Sequence, residues 1–413
     1  MRYSAITVSL ACALVATSAA AEVTLSGVIN AGIELEKSGD ASTSAGNSIT
    51  GPTTGGGSLT RSDLTQNYSF VNVGSKEDLG GGTKVEFNFQ VYAAYASNTG
   101  INNRDSSIGL SNDKWGGLYY GTNDSIYNRW MWAFDPMDGD AGVGGSFQIL
   151  GNPGYNTGCC GIASNTNFAG VPGVAAASAN FFTRVDNTVW YNSPEYYGVS
   201  GGLYTSLSAY KSTTTPLDPK VSGLGVKWTM PFAPSTVFVT YQRNKDLNGL
   251  GVITSGASVS TTGTKDTGLL IGGSYTIADL TLYAMFERLK YTSDGLATSA
   301  VNEYARNAYS LNAKYNIPTG YVAFTFVKAA SATCDLAGGG GCDASKTGAY
   351  SLGLGYYHTM SKSTQLYVVA SYLKNDDLAS YNIAGGNAGN GFDQFAAVGA
   401  KQEDITVGIV HAF

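Results

Sequence analysis

Lys84-Val85-Glu86-Phe87-Asn88-Phe89-Gln90-Val91-Tyr92-Ala93 is the stretch on which the fold turns. Its odd positions are all apolar, and its even positions carry a lysine, a glutamate, two amides and a tyrosine. Side chains on an extended chain point to alternate faces, so this pattern describes a strand with one greasy face and one wet face. A strand of ordinary globular length needs only five or six residues; one of about ten, tilted, crosses a lipid bilayer.

The same alternation recurs along the chain. Val23, Leu25, Ile29, Ala31, Ile33 and Leu35 share one phase, against Thr24, Ser26, Asn30 and Glu34. Val199, Leu203, Leu207 and Ala209 oppose Ser200, Tyr204, Ser206, Ser208 and Tyr210. Leu280, Leu282, Ala284 and Phe286 oppose Thr281, Tyr283 and Glu287, and Ile405, Val407, Ile409 and Phe413 oppose Thr406 and Gly408. Several of these runs exceed the strands of a soluble sandwich. Composition points the same way: charged residues are only 13% of 413, half the usual share, while glycine contributes 54 and tyrosine 27. The chain is too aromatic for disorder. After residue 21 no window has the ~20 continuous apolar residues of a membrane helix. A net charge of −6 excludes a basic nucleic-acid footprint.

Connections alternate in length. Seven short ones fall at Glu77–Gly82, Ser111–Gly116, Ser193–Gly198, Met230–Ser235, Thr276–Asp279, Asn316–Gly320 and His358–Ser363. Between them lie eight longer polar or glycine-rich segments, near 36–66, 96–103, 122–182, 211–221, 244–267, 291–305, 329–348 and 374–394. Fifteen connections join sixteen antiparallel strands. Short turns on one side and long loops on the other are the pattern of an all-β transmembrane barrel. Closure is required, because an open edge in lipid would strand unpaired backbone groups. Tyr and Trp near strand ends, such as Trp115, Tyr120, Trp190, Tyr197 and Trp228, suit the membrane interface.

Residues 1–21 read as a cleaved signal peptide: Arg2, an apolar run from Ala5 to Ala16, and small residues at Ser18–Ala21. Residues 22–413 form a single barrel, with charge 23 − 30 = −7 once Arg2 is lost. Four cysteines remain, which allow three pairings. Cys334 and Cys342 flank the flexible Gly338–Gly341 spacer, which favours a local disulfide within one loop. Cys159 and Cys160 are neighbours, where a bridge is strained, and their state stays open. Metal binding by cysteine is the rival reading, disfavoured by a chain with only two histidines, His358 and His411.

Against this background the chain resembles the general porins of Gram-negative outer membranes over essentially the whole mature sequence. Val23-Thr24-Leu25-Ser26-Gly27-Val28-Ile29-Asn30-Ala31-Gly32 is similar to their first strand, and Lys76-Glu77-Asp78-Leu79-Gly80-Gly81-Gly82 to their first periplasmic turn. Arg104 followed by Ile108-Gly109-Leu110 resembles their fourth strand. Arg184-Val185-Asp186-Asn187-Thr188-Val189-Trp190-Tyr191-Asn192-Ser193-Pro194 is similar to the segment after their third loop. The resemblance implies a homotrimer of sixteen-stranded barrels, each with loop three folded into its lumen as a constriction. That loop would run from about Thr122 to Phe182, with Asp135, Asp138 and Asp140 facing Arg104 and Arg184 on the wall. Facing charges of opposite sign set up a transverse field that filters ions.

Two departures matter. Phe70 stands where many relatives place a further arginine, and Arg104 shares phase with lipid-facing Ile108 and Leu110. Arg104 therefore reaches the lumen only through a bulge, a locally altered strand, or a position above the lipid band. Lys84 faces inward by parity near a periplasmic turn, and Arg129 lies in the loop; both are possible lumenal charges. Expected partners are two further copies, outer-membrane lipid and lipopolysaccharide, and small hydrophilic solutes and ions, with no nucleic acid. No cofactor and no metal are expected; Asp135-x-x-Asp138-x-Asp140 lacks the pattern of a dedicated Ca²⁺ loop. Three other functions compete with a passive channel. A substrate-specific channel, for sugars for instance, would use an inward aromatic track such as Tyr92, Tyr204 and Tyr283. A barrel adhesin would bind through its loops. An outer-membrane hydrolase would need a nucleophile, base and orienter that His358 and His411 are not placed to complete.

Overall fold

The computed structural model describes all residues except 1–21, 50–52, 66–68, 94–102, 138–142, 155–166, 169–170, 176–179, 182–183, 209–210, 212, 214–215, 217, 247–262 and 384–396. The signal-peptide segment, Asp138, Asp140, Cys159 and Cys160 therefore lie outside the described residues.

Sixteen antiparallel strands form one closed barrel. In chain order they are β1 (Glu22–Gly39), β2 (Leu59–Thr65 continuing as Phe70–Gly80), β3 (Thr83–Tyr92), β4 (Asn103–Asn112) and β5 (Gly116–Asp124). There follow β6 (Arg184–Asn192), β7 (Val199–Ser206), β8 (Lys220–Thr229), β9 (Ser235–Lys245), β10 (Thr264–Ile277) and β11 (Leu280–Ser293). The last five are β12 (Val301–Ile317), β13 (Gly320–Ala329), β14 (Ala349–Thr359), β15 (Thr364–Asn375) and β16 (Lys401–Ala412). The two parts of β2 both pair with β1, so they are one strand interrupted. Each strand pairs with its sequence neighbours, and β16 returns to β1 from Val28↔Ala412 to Gly39↔Lys401. That ladder leaves no free edge, as backbone groups in hydrocarbon require.

All seven short connections read from the sequence fall between consecutive strands, and the eight long segments join the opposite ends. The first turn shows why glycine is needed there: Gly80, Gly81 and Gly82 all have positive φ (84°, 63° and 79°), which a residue with a Cβ rarely adopts. Extra strand lies in the loops. Ala41–Ser44 pairs with Thr53–Gly56, and Thr333–Leu336 pairs with the loop-side end of β12.

The burial pattern is that of a soluble protein turned inside out. Leu35, Leu203, Leu354 and Val407 are each more than half exposed, whereas Thr240, Gln242, Glu287 and Ser310 are fully buried. Apolar side chains cover the outside of the sheet and polar ones its inside. The hydrophobic effect favours this only where the outer solvent is lipid.

The segment joining β5 to β6 packs its apolar side chains into the interior of the barrel. Helix α1 (Ile126–Ala133) opens with Ser125, whose Oγ accepts the Asn128 N–H at 3.1 Å and so caps an otherwise unpaired donor. Tyr127, Met131, Phe134, Met137, Phe147, Ile149, Leu150 and Phe181 pack against the polar-faced sides of the strands, onto Phe238, Met285, Tyr291, Tyr304, Tyr357 and Val369. Close approach depends on missing side chains: a Cβ at Gly353 of β14 would collide with the Gly144 backbone.

Candidate functional site

Charged residues on the inner face cluster along β4, β5 and β6. The β3–β4 ladder pairs Phe89 with Ser106 but Val91 with Asn103, so three residues on β4 are spanned by two on β3. This is a bulge, and bulges re-aim side chains. It turns Arg104 away from the face of Ile108 and Leu110. Arg104 is 3% exposed, and its guanidinium carbon sits 5.2 Å from the Phe70 ring centroid and 4.8 Å from that of Tyr92, which are paired across β2 and β3. Tyr92 shares phase with Glu86, Asn88 and Gln90, so Arg104 lies on the wet face.

Arg184 opens β6 beside a second irregularity, between Val185 and Thr188, where Asn187 adopts a φ of 51°. Its Nε donates to Asp105 Oδ1 at 2.6 Å, and its Nη2 to Asp124 Oδ2 at 3.4 Å. Asp124 also accepts Asn128 Nδ2 at 3.1 Å, tying the start of α1 to the wall. Burial lowers the proton affinity of Arg129, on α1, and the charges of Asp124 and Asp105 work against that shift. Lys84 sits at the turn end of β3, opposite Asp78 and Ser111.

Asp135 does not present its charge to water. It is 5% exposed, and its carboxylate accepts the backbone N–H groups of Met137 and Ser146. Burial raises its pKa to about 6 despite those two donors. The reading of Asp135 as a water-facing acid is therefore corrected: it braces the segment from within. The two backbone donors offset only part of the cost of burying the carboxyl group, so its role is to satisfy those N–H groups and not to carry charge into water.

Sequence reasoning missed the group that holds this segment. Glu287 of β11 and Arg306 of β12, both with fully buried side chains, pair at 2.6 Å. Arg306 donates to the carbonyls of Ile149 (2.8 Å) and Asn152 (2.8 Å). Glu287 accepts the Gly151 N–H at 2.6 Å and the Tyr127 hydroxyl. Burial and the Glu287 charge push the Tyr127 phenol well above its ordinary pKa, so it acts as a donor. Further contacts run from Asn312 to Ser146 (2.9 Å), from Gln148 to Ser371 (3.1 Å), and from Tyr304 to the Pro153 carbonyl (2.7 Å). The inward phase of Glu287 was legible; its partner was not.

In the long segment joining β13 to β14, Cys334 and Cys342 are bonded to each other, with Cα atoms 5.4 Å apart. Among the described residues no group of three His, Cys, Asp or Glu is arranged to hold a metal. His358 and His411 lie beside the short turns, near Tyr356 (3.1 Å) and Thr364 (2.9 Å) respectively.

A closed barrel with an apolar exterior, a polar interior and arginines turned inward defines a transmembrane channel protein. Comparison with known proteins is consistent with that class. The family model for the Gram-negative porin matches residues 7–378. Outer membrane porin protein 32 of Delftia acidovorans is 25% identical over 416 residues, covering all of both chains. An outer membrane porin protein of Bordetella pertussis is 27% identical over 151 residues, covering 35% of this chain and 32% of its own. Among solved structures, an anion-selective porin from Comamonas acidovorans superposes with TM-score 0.67 at 19% identity, over 95% of this chain and 100% of the other. OmpT, an outer membrane protein of Vibrio cholerae, gives 0.61 at 11% identity, over 95% and 97%. At such identities these two structures attest to the fold alone. The chain belongs to the Gram-negative porin family: it is an outer-membrane channel for passive solute diffusion.

Proposed function

We propose that the protein is a general diffusion porin working as a homotrimer, in which the 125–183 segment folds into the lumen and forms the constriction. Water, ions and small hydrophilic solutes cross down their gradients with no catalysis and no cofactor, and lipid and lipopolysaccharide surround the barrel. The observation that carries this reading is the buried attachment of the segment to the inner faces of β11 to β15 through Arg306, Glu287, Asn312 and Ser371. Arg104 and Arg184 form the positive wall, and Asp138 and Asp140 supply the loop's negative charge. Asp135 supports the loop's shape rather than its field. In water each opposite-charge pair is worth only about 1 kcal/mol at contact, which biases passage without trapping an ion. A solved outer membrane protein of similar fold is described as a trimer form, which supports the same assembly here.

The sugar-specific alternative would want exposed inward rings. Tyr204 is instead 4% exposed and donates to Gln242 Oε1 at 2.7 Å, and Tyr92 is stacked under Arg104. Both are occupied as wall packing, which favours the general channel. Planar-bilayer recording with the purified protein tests the reading. Ohmic steps in groups of three, unblocked by any sugar, are expected; saturable block by one sugar would replace it with the specific channel.

A further inference from the structure

Arg184 does not face the lumen as a bare cation. Asp105 and Asp124 grip its guanidinium at 2.6 and 3.4 Å from two different strands. All three side chains keep about a fifth of their surface exposed, so they sit at the water boundary and not in the sealed interior. The bulge that re-aims Arg104 also leaves its neighbour Asp105 on the wet face. Arg129 lies within electrostatic reach of both carboxylates. The cluster therefore holds three arginines and two aspartates, a net charge of 3 − 2 = +1 where the cations alone would give +3.

We propose that Asp105 and Asp124 are specificity-determining residues that mute the arginine wall, holding Arg184 in place and cancelling most of its attraction for anions. This rests on the reading of the barrel interior as the conducting path. Asp105 lies in β4 and Asp124 at the end of β5, so the device is independent of the acids of loop three. A guanidinium clamped by two carboxylates has its donors directed at the protein, whereas a freed one can turn them towards a passing anion. Charges at the edge of a water-filled space act over about one Debye length, close to the radius of such a pore, so an ion on the axis senses the sum of the cluster.

The test is the reversal potential in a salt gradient across a planar bilayer, for wild type and for Asp105→Asn, Asp124→Asn, the double variant and Arg184→Gln. Migration of the unheated barrel on a gel checks folding of each. In the double variant the cluster rises from +1 to +3, and the chloride-over-potassium permeability ratio is expected to rise roughly three- to tenfold, with each single variant about midway on a logarithmic scale. Arg184→Gln takes the cluster to zero, and the ratio should fall about two- to threefold. If the double variant opens steps of normal size but keeps a ratio within twofold of wild type, the muting role is wrong. Should the double variant not fold, Asp124→Asn alone carries the test, and an unchanged ratio there has the same meaning. Folded wild-type protein without any conductance would instead overturn the channel reading itself.

Discussion

Replacing Arg306 with alanine should release the segment that runs from α1 to Asn152. Arg306 and Glu287 are both fully buried and 2.6 Å apart, and between them they hold the Ile149 and Asn152 carbonyls, the Gly151 N–H and the Tyr127 hydroxyl. Removing one member leaves the other charge buried and unpaired, at a cost of about 3–5 kcal/mol. Relative to the docked arrangement, that raises the undocked population by roughly a hundred- to several-thousand-fold. The barrel ladder itself is untouched, so the protein should still fold. Arg306→Ala should therefore open noisier channels of larger mean conductance, and protease should cut near Gly151 faster than in wild type. Glu287→Leu combined with Arg306→Met removes both charges and should harm docking less than Arg306→Ala alone, because no lone charge is left buried. Wild-type conductance, noise and cleavage in Arg306→Ala would refute the assignment of this pair as the anchor.

Three other outcomes follow from the same contacts. Asp135 has a folded pKa raised from 3.8 to about 6, so its contribution to docking is full below about 4 and is lost as pH rises through about 6. Cleavage of the segment should accordingly increase between pH 4 and 7 in wild type and stay level in Asp135→Asn. Reducing the Cys334–Cys342 bond frees a short loop and should cost the β13–β14 connection about 2–3 kcal/mol in the chain-entropy picture; limited proteolysis should then cut within 334–342 while the barrel stays intact. Val407→Arg puts a charge at the middle of β16 on the lipid face and should destabilise the folded barrel by about 2–4 kcal/mol in urea titrations in lipid.

The barrel was legible because its signal is local and repeated. Alternation in Lys84–Ala93 fixes which face of β3 meets lipid, and a turn signal every pair of strands fixes the count. Arg104 shows where that logic stops. Parity puts it on the lipid face, and the bulge that turns it inward is a one-residue mismatch between β3 and β4 that neither strand announces alone. Asp135 failed for a related reason. It reads as one of three loop acids, yet its partners are backbone donors 2 and 11 residues away, and the second of these has no local signal. Glu287 and Arg306 are 19 residues apart on adjacent strands, and the charges alone suggest an ordinary cross-strand pair. Their role depends on residues 149–152 arriving from another part of the chain. Asp105 is inward by parity, opposite in phase to Ile108 and Leu110, but its pairing with Arg184 depends on β6 returning beside β5 after the long segment, which no local signal shows.

The most direct test of the central claim, that the interior of this barrel is an open hydrated path, is the swelling of liposomes carrying the purified protein in solutes of graded size. Swelling rates should rise in proportion to solute concentration and fall smoothly with molecular size, with neutral sugars and neutral non-sugars of equal size on one curve. No swelling by correctly folded protein, even in the smallest solutes, would contradict it.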